Sequence, residues 1–134
     1  MLFSPEDWFM LVEALRHQTM TGKVSWEPAP EPLRGSPSVR KRAGAGSFVT
    51  QIDRNAFRLG SQDADGRAPY FLEVARVGPR NETISDVLRS DSRMNNESYD
   101  AASRELDQLA RVVHETIAIK GRVARDIIAD LHRL

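Results

Sequence analysis

Three histidines, His17, His114 and His132, are the side chains of this sequence best suited to metal binding or to proton transfer near neutral pH. Metal chemistry needs ligands that cluster, as when two histidines sit four apart on one helix face. These three fall in three separate predicted helices, and nothing suited to coordination follows His114-Glu115 at helical spacing. There is no cysteine, which removes thiol nucleophiles, disulfides and thiolate metal sites together. Asp63, Asp65 and Gly66 echo the opening of a calcium loop, but the later ligands and the closing glutamate are missing. A hairpin turn accounts for them more simply. Gly44-x-Gly46 lacks the third glycine, the preceding strand and the following helix of a nucleotide fingerprint, and no Gly-x-Ser-x-Gly elbow occurs. No catalytic residue, metal or cofactor is expected, and the chain is read as a non-enzyme.

One other cluster could bind something. Arg34, Arg40, Lys41 and Arg42 lie in a segment with Pro28, Pro30, Pro32, Pro37, Gly35, Gly44 and Gly46, and no acid falls between Leu33 and Gln51. The prolines forbid a helix or central strand. The expectation is a flexible Pro/Gly-rich basic loop over about residues 27–46. A basic arm of this kind can neutralise phosphates and release counterions. Four charges are few for that task, and no aromatic lies within the loop to stack a base. A solvated loop is the simpler reading.

The elements that would position these groups come from periodicity. Residues 98–120 carry the strongest pattern: Tyr99, Ala102, Leu106, Leu109, Val113 and Ile117 follow one another at steps of three or four, so they share one face of a long amphipathic helix. Ser98 is placed to cap it. Lys120-Gly121 is placed to end it, with a cation at the negative pole and a glycine free to turn left-handed. A separate C-terminal helix is then expected over 122–134, with Val123, Ile127, Ile128, Leu131 and Leu134 on one side. At the other terminus, Ser4-Pro5-Glu6-Asp7 opens a helix as a capping box with proline at the first helical position. Trp8, Leu11, Val12, Leu15 and Thr19 form its face, and Gly22 ends it. Between the helices, 47–53, 56–60 and 69–77 alternate in polarity as strands. Residues 82–88 are a weaker fourth strand with Ile84 and Leu88 inward, against a short helix as the rival. Segregated strands and helices predict an α+β fold: an N-terminal helix, an antiparallel sheet of three or four strands, a long amphipathic helix and a C-terminal helix, in one domain over 1–134.

Nineteen basic and nineteen acidic residues cancel, so long-range steering toward nucleic acid or an anionic membrane is not expected of the whole molecule. No apolar run approaches the roughly 20 residues of a membrane span. The first residues are acidic where a signal peptide is basic, which makes the cytoplasm the expected location.

The segment Gly22-Lys23-Val24-Ser25-Trp26, the strand Tyr70-Phe71-Leu72-Glu73-Val74 and the helix from Ser98 together resemble a loose group of small bacterial helix–meander–helix proteins of unknown function, common in high-GC, actinobacterial-type genomes. The Pro-rich insertion after Trp26 departs from that pattern. The resemblance implies an accessory or regulatory module and no reaction. The helices also carry more apolar surface than one face of a small sheet can cover. The expected function is therefore a non-catalytic protein-interaction module, acting alone on a protein partner or as a homodimer. Leu106, Leu109, Val113, Ile127 and Leu131 are its core or near-interface anchors. The alternative is a nucleic-acid-binding protein using Arg34, Arg40, Lys41 and Arg42.

Overall fold

A computed structural model of the chain describes residues 2–29, 47–63, 67–90 and 97–134. Helix α1 (Pro5–Met20) begins as the sequence dictates. The Ser4 hydroxyl accepts from the Asp7 amide, the Asp7 carboxylate accepts from the Ser4 amide, and Pro5 takes the first turn. The helix ends at Thr21, and Gly22 turns left-handed at φ 79°.

Five strands follow in a plain antiparallel meander: β1 (Glu27–Pro28), β2 (Phe48–Ile52), β3 (Asn55–Ser61), β4 (Tyr70–Val77) and β5 (Thr83–Arg89). One correction arises here, and one open alternative is decided. Glu27 and Pro28, expected in the loop, pair with Val49 and Phe48 as a short edge strand, the one kind of strand in which proline is tolerated. Residues 83–89 are a strand over their whole length, not a helix; the pairing with β4 overrides a weak local pattern. Residues 30–46, which hold Arg34, Arg40, Lys41 and Arg42, lie outside the described residues, as do most of the 63–66 turn and the 91–96 loop.

Register places apolar side chains in rows across the inner face. Phe48, Leu59, Leu72 and Leu88 stand opposite one another on β2 to β5, and all four are buried. The next row, Thr50, Phe57, Val74 and Asp86, is buried in its middle only. Asp86 turns its carboxylate to the amides of Leu2 and Phe3, tying the N-terminus to the edge strand. The other face stays open. There Phe71 lies over Gly60, where a Cβ would come within 2.9 Å of the ring.

The last element is helix α2 (Asp100–His132), entered through a 3-10 turn at Glu97–Tyr99. Its N-cap position is Tyr99, which makes no side-chain cap bond; Ser98 lies within the tighter turn that leads into the helix. The expected break at Lys120-Gly121 does not occur: one helix of 33 residues runs through Gly121. Gly121 lacks the positive φ that a helix-ending glycine adopts. An interior glycine costs about 1 kcal/mol against alanine, and Ala118, Lys120, Arg122, Ala124 and Arg125 around it are strong helix formers.

Both helices cover the inner face of the sheet. Trp8, Val12 and Leu15 from α1 and Ala102, Leu106, Leu109, Ala110 and Val113 from α2 complete the core with the strand rows. The helices run the same way, since Pro5 and Phe9 share a hollow with Ser98 and Ala101, and Arg16 further along pairs with Glu105 at 2.7 Å. Trp26 plugs the end of the core. Its indole Nε1 donates to Thr19 Oγ1 at 3.0 Å, and that hydroxyl in turn donates to the Leu15 carbonyl at 2.7 Å.

Candidate interaction surface

Helix α2 has one apolar face and two different surroundings. In its first half the stripe Ala102, Leu106, Leu109, Val113 is shut away, with Leu106, Leu109 and Val113 at 0% exposure. Ile117 still packs against the core. One turn on, the Lys120 ammonium donates to Ser25 Oγ at 2.6 Å; this joint to the segment before β1 lies where the body ends. From Arg122 to Leu134 every residue except Ala129 is exposed. No described residue lies over this stretch.

The spacing does not change at that boundary. Val113, Ile117, Lys120, Ala124, Ile127, Leu131 and Leu134 keep steps of three or four, so the face that covers the sheet continues in phase past the sheet's end. Ile127 is 55% and Leu131 63% exposed, and Ile119, Val123 and Ile128 are each just over half exposed. The arm from Gly121 to His132 adds about 18 Å of helix at 1.5 Å per residue. Helix geometry alone can carry it, because an arm that grows from a packed helix avoids the cost of nucleation. Its apolar stripe nevertheless stands in water, a face that α-helices of soluble domains normally bury.

The five expected anchors therefore divide. Leu106, Leu109 and Val113 are core residues of the monomer and present no surface. Ile127 and Leu131 stand on the open arm, together with Ile119, Val123 and Ile128. Arg34, Arg40, Lys41 and Arg42 lie outside the described residues. What sequence reasoning missed was the continuity of the arm. The signal is the unbroken spacing from Val113 to Leu131, which runs through the glycine without a change of phase.

The histidines do not converge. His114 and His132 share α2, roughly 27 Å apart at the rise of an α-helix, and His17 is exposed on α1. His114 sets its ring edge-on to Phe48, centroids 5.0 Å apart, with Tyr70 at 6.2 Å. Burial there pushes its pKa below the usual 6.5. Among the described residues no group of three or more His, Asp or Glu side chains is arranged to hold a metal ion. No helix among them is long and apolar enough to cross a membrane.

Two further shallow hollows lie among the described residues. One, of about 440 Å³, lies on the open face of the sheet between Val49, Gln51, Arg58 and Glu73. Arg58 Nε is buried there without a hydrogen-bond partner, the one such side-chain nitrogen among the described residues. The other, of about 520 Å³, lies near the N-terminus between Leu2, Phe3, Met10 and Ile84. No protein-family model, curated protein or solved structure matches the chain.

Proposed function

We propose that this protein is a non-catalytic protein-interaction module whose binding element is the open arm of α2. One observation carries the reading: the apolar stripe that makes the core continues in phase onto residues 121–134, where Ile127 and Leu131 are more than half exposed. Apolar side chains scattered over a surface need no explanation. A row of them on one helix face, continuous with a core and uncovered, is the pattern of a helix that docks against another protein. The body's task is then to hold the arm: α1, the meander and Trp26 fix the first half of α2, and the second half is presented.

A photo-reactive amino acid placed at Ile127 tests this in cells that make the protein. Ile127 lies on the stripe and Arg122 on the opposite side of the helix. A covalent adduct to a protein chain is expected from position 127 and not from position 122. Adducts from neither, or equally from both, would count against the arm. Nucleic-acid binding through Arg34, Arg40, Lys41 and Arg42 keeps a separate test. It requires affinity that falls steeply with salt and is lost when all four are changed to alanine.

A further inference from the structure

An open sheet edge is a row of unpaired peptide groups, on which any extended strand can pair, the same strand of another copy included. The meander has two ends. Strand β1 is two residues long and carries Pro28, which has no N–H to offer. Strand β5 is seven residues long, and among the described residues no strand lies along its far side. The pairing with β4 decides which of its peptide groups face outward. Ser90 N donates to the Tyr70 carbonyl, and Gly78 N to the Glu82 carbonyl. The residues of β5 that exchange bonds with β4 are therefore Ile84, Asp86 and Leu88. Thr83, Ser85, Val87 and Arg89 turn their N–H and C=O groups to the far side.

Most of that side is already occupied. The Asp86 side chain bends round to its own edge. Its Oδ1 accepts from the outward Val87 N–H at 2.9 Å, and its Oδ2 accepts from the amides of Leu2 at 3.0 Å and Phe3 at 3.1 Å. One carboxylate thus collects three N–H groups and draws the N-terminal segment against the strand. Farther along, the outward carbonyl of Arg89 accepts from Ser103 Oγ of α2 at 3.4 Å. Only the stretch Thr83–Ser85 keeps its outward groups without a partner among the described residues, which is shorter than an ordinary strand.

We infer that Asp86 guards the β5 edge and keeps the sheet from pairing with a second copy of the chain. It does so in two ways. Any pairing that runs past Ser85 needs the Val87 N–H, which Asp86 holds. The longest antiparallel pairing of β5 with itself, centred on residue 86, would also set two Asp86 carboxylates directly opposite each other. They would form a non-hydrogen-bonded pair with Cα atoms about 4.5 Å apart, where like charges repel. An apolar side chain would suit the inner row better, beside Phe57 and Val74. An inward-pointing charge serves an edge strand, not a core. The guard is separate from the arm of α2: Asp86 closes one association surface, and the arm is another that stands open.

Asp86→Ala removes both obstacles. At matched high concentration, D86A should sediment faster than the wild type, as dimers or longer sheets form. Losing the carboxylate also frees the N-terminal segment, so a second substitution separates edge pairing from a loosened fold. Ser85→Pro deletes an outward N–H and leaves the bonds to β4 in place, where an edge strand tolerates proline. S85P alone should melt close to the wild type. D86A/S85P should then return to the wild-type sedimentation coefficient, whereas association through unfolded chains would persist. Hydrogen exchange gives a reading that does not depend on the proline. In D86A the Ser85 and Val87 amides should exchange quickly when dilute and more slowly when concentrated. Equal sedimentation of D86A and the wild type would overturn the guard. So would association that survives in a folded S85P background, or that leaves the Ser85 and Val87 amides unprotected.

Discussion

Leu109 and Ile127 stand on the same face of the same helix, five turns apart, and their surroundings could hardly differ more. Leu109 is wholly enclosed by α1 and the strand rows; Ile127 is 55% exposed. The backbone does not record the difference, since α2 is continuous through both. Helix formation follows local propensity and the apolar period, whereas burial follows how far the sheet and α1 reach. The meander ends near Ser25 and Lys120, and the helix does not. The half that is covered makes the fold, and the half that is not covered is free to do something else.

The largest effect should separate the two halves by substitution. Leu109→Asp buries a charge without a partner and should abolish folding or soluble expression. Leu109→Ala should cost about 2–5 kcal/mol in denaturant unfolding. Ile127→Asp should leave the unfolding midpoint within about 0.5 kcal/mol of the wild type, as for a surface site. Gly121 sharpens the comparison at the joint. Gly121→Pro removes the bond to the Ile117 carbonyl and disfavours helix there by about 3 kcal/mol. It should reduce far-ultraviolet helical signal while the body melts close to its usual temperature. Gly121→Ala should do the reverse, strengthening the arm by up to about 1 kcal/mol; an added Cβ has room, with only Arg125 Nη1 at 3.9 Å. Within the body, Thr19→Val leaves the buried Trp26 Nε1 without an acceptor and should cost about 1–3 kcal/mol by chemical denaturation.

The smallest effect is a pH dependence. Burial against Phe48 holds the His114 pKa in the folded chain below the unfolded value of 6.5. Protons therefore bind the unfolded chain more readily. The stability this group contributes is complete above pH 6.5 and is lost as pH falls through that value toward the lowered folded pKa. Between about pH 7.5 and about pH 5.5, His114→Gln should melt with a shallower pH dependence than the wild type. An identical slope in the two proteins would mean that His114 is not desolvated.

Much of the body could be read from residue order. The capping box at Ser4 and Asp7, the buried face of α1, the alternation that seats Phe48, Phe57, Leu59, Leu72 and Val74, and the covering stripe of α2 all follow from local chemistry repeated at a fixed period. Two features did not follow and a third was only weakly marked, each for a physical reason. Strand β1 depends on Glu27 and Pro28 meeting Val49 and Phe48 across some twenty residues of chain, a long-range pairing with no local mark. Strand β5 is only weakly marked because Asp86 occupies an inward position, its carboxylate accepting from the amides of Leu2, Phe3 and Val87. The joint at Gly121 carries no decisive local mark, because a glycine after a lysine looks the same whether a helix ends there or continues; the phase from Val113 to Leu131 decides it. Of the interface anchors, sequence could place Leu106, Leu109, Val113, Ile127 and Leu131 on one stripe. It could not say which of them the sheet would reach.

Hydrogen exchange along α2 in a dilute sample tests the division of the helix most directly. Amides from about Leu106 to Ile117 should exchange slowly, because the body protects them. Amides from Val123 to Leu131 should exchange quickly, since no described residue covers them. Slow exchange along the whole of α2 would contradict the account, since the arm would then be buried by its own chain.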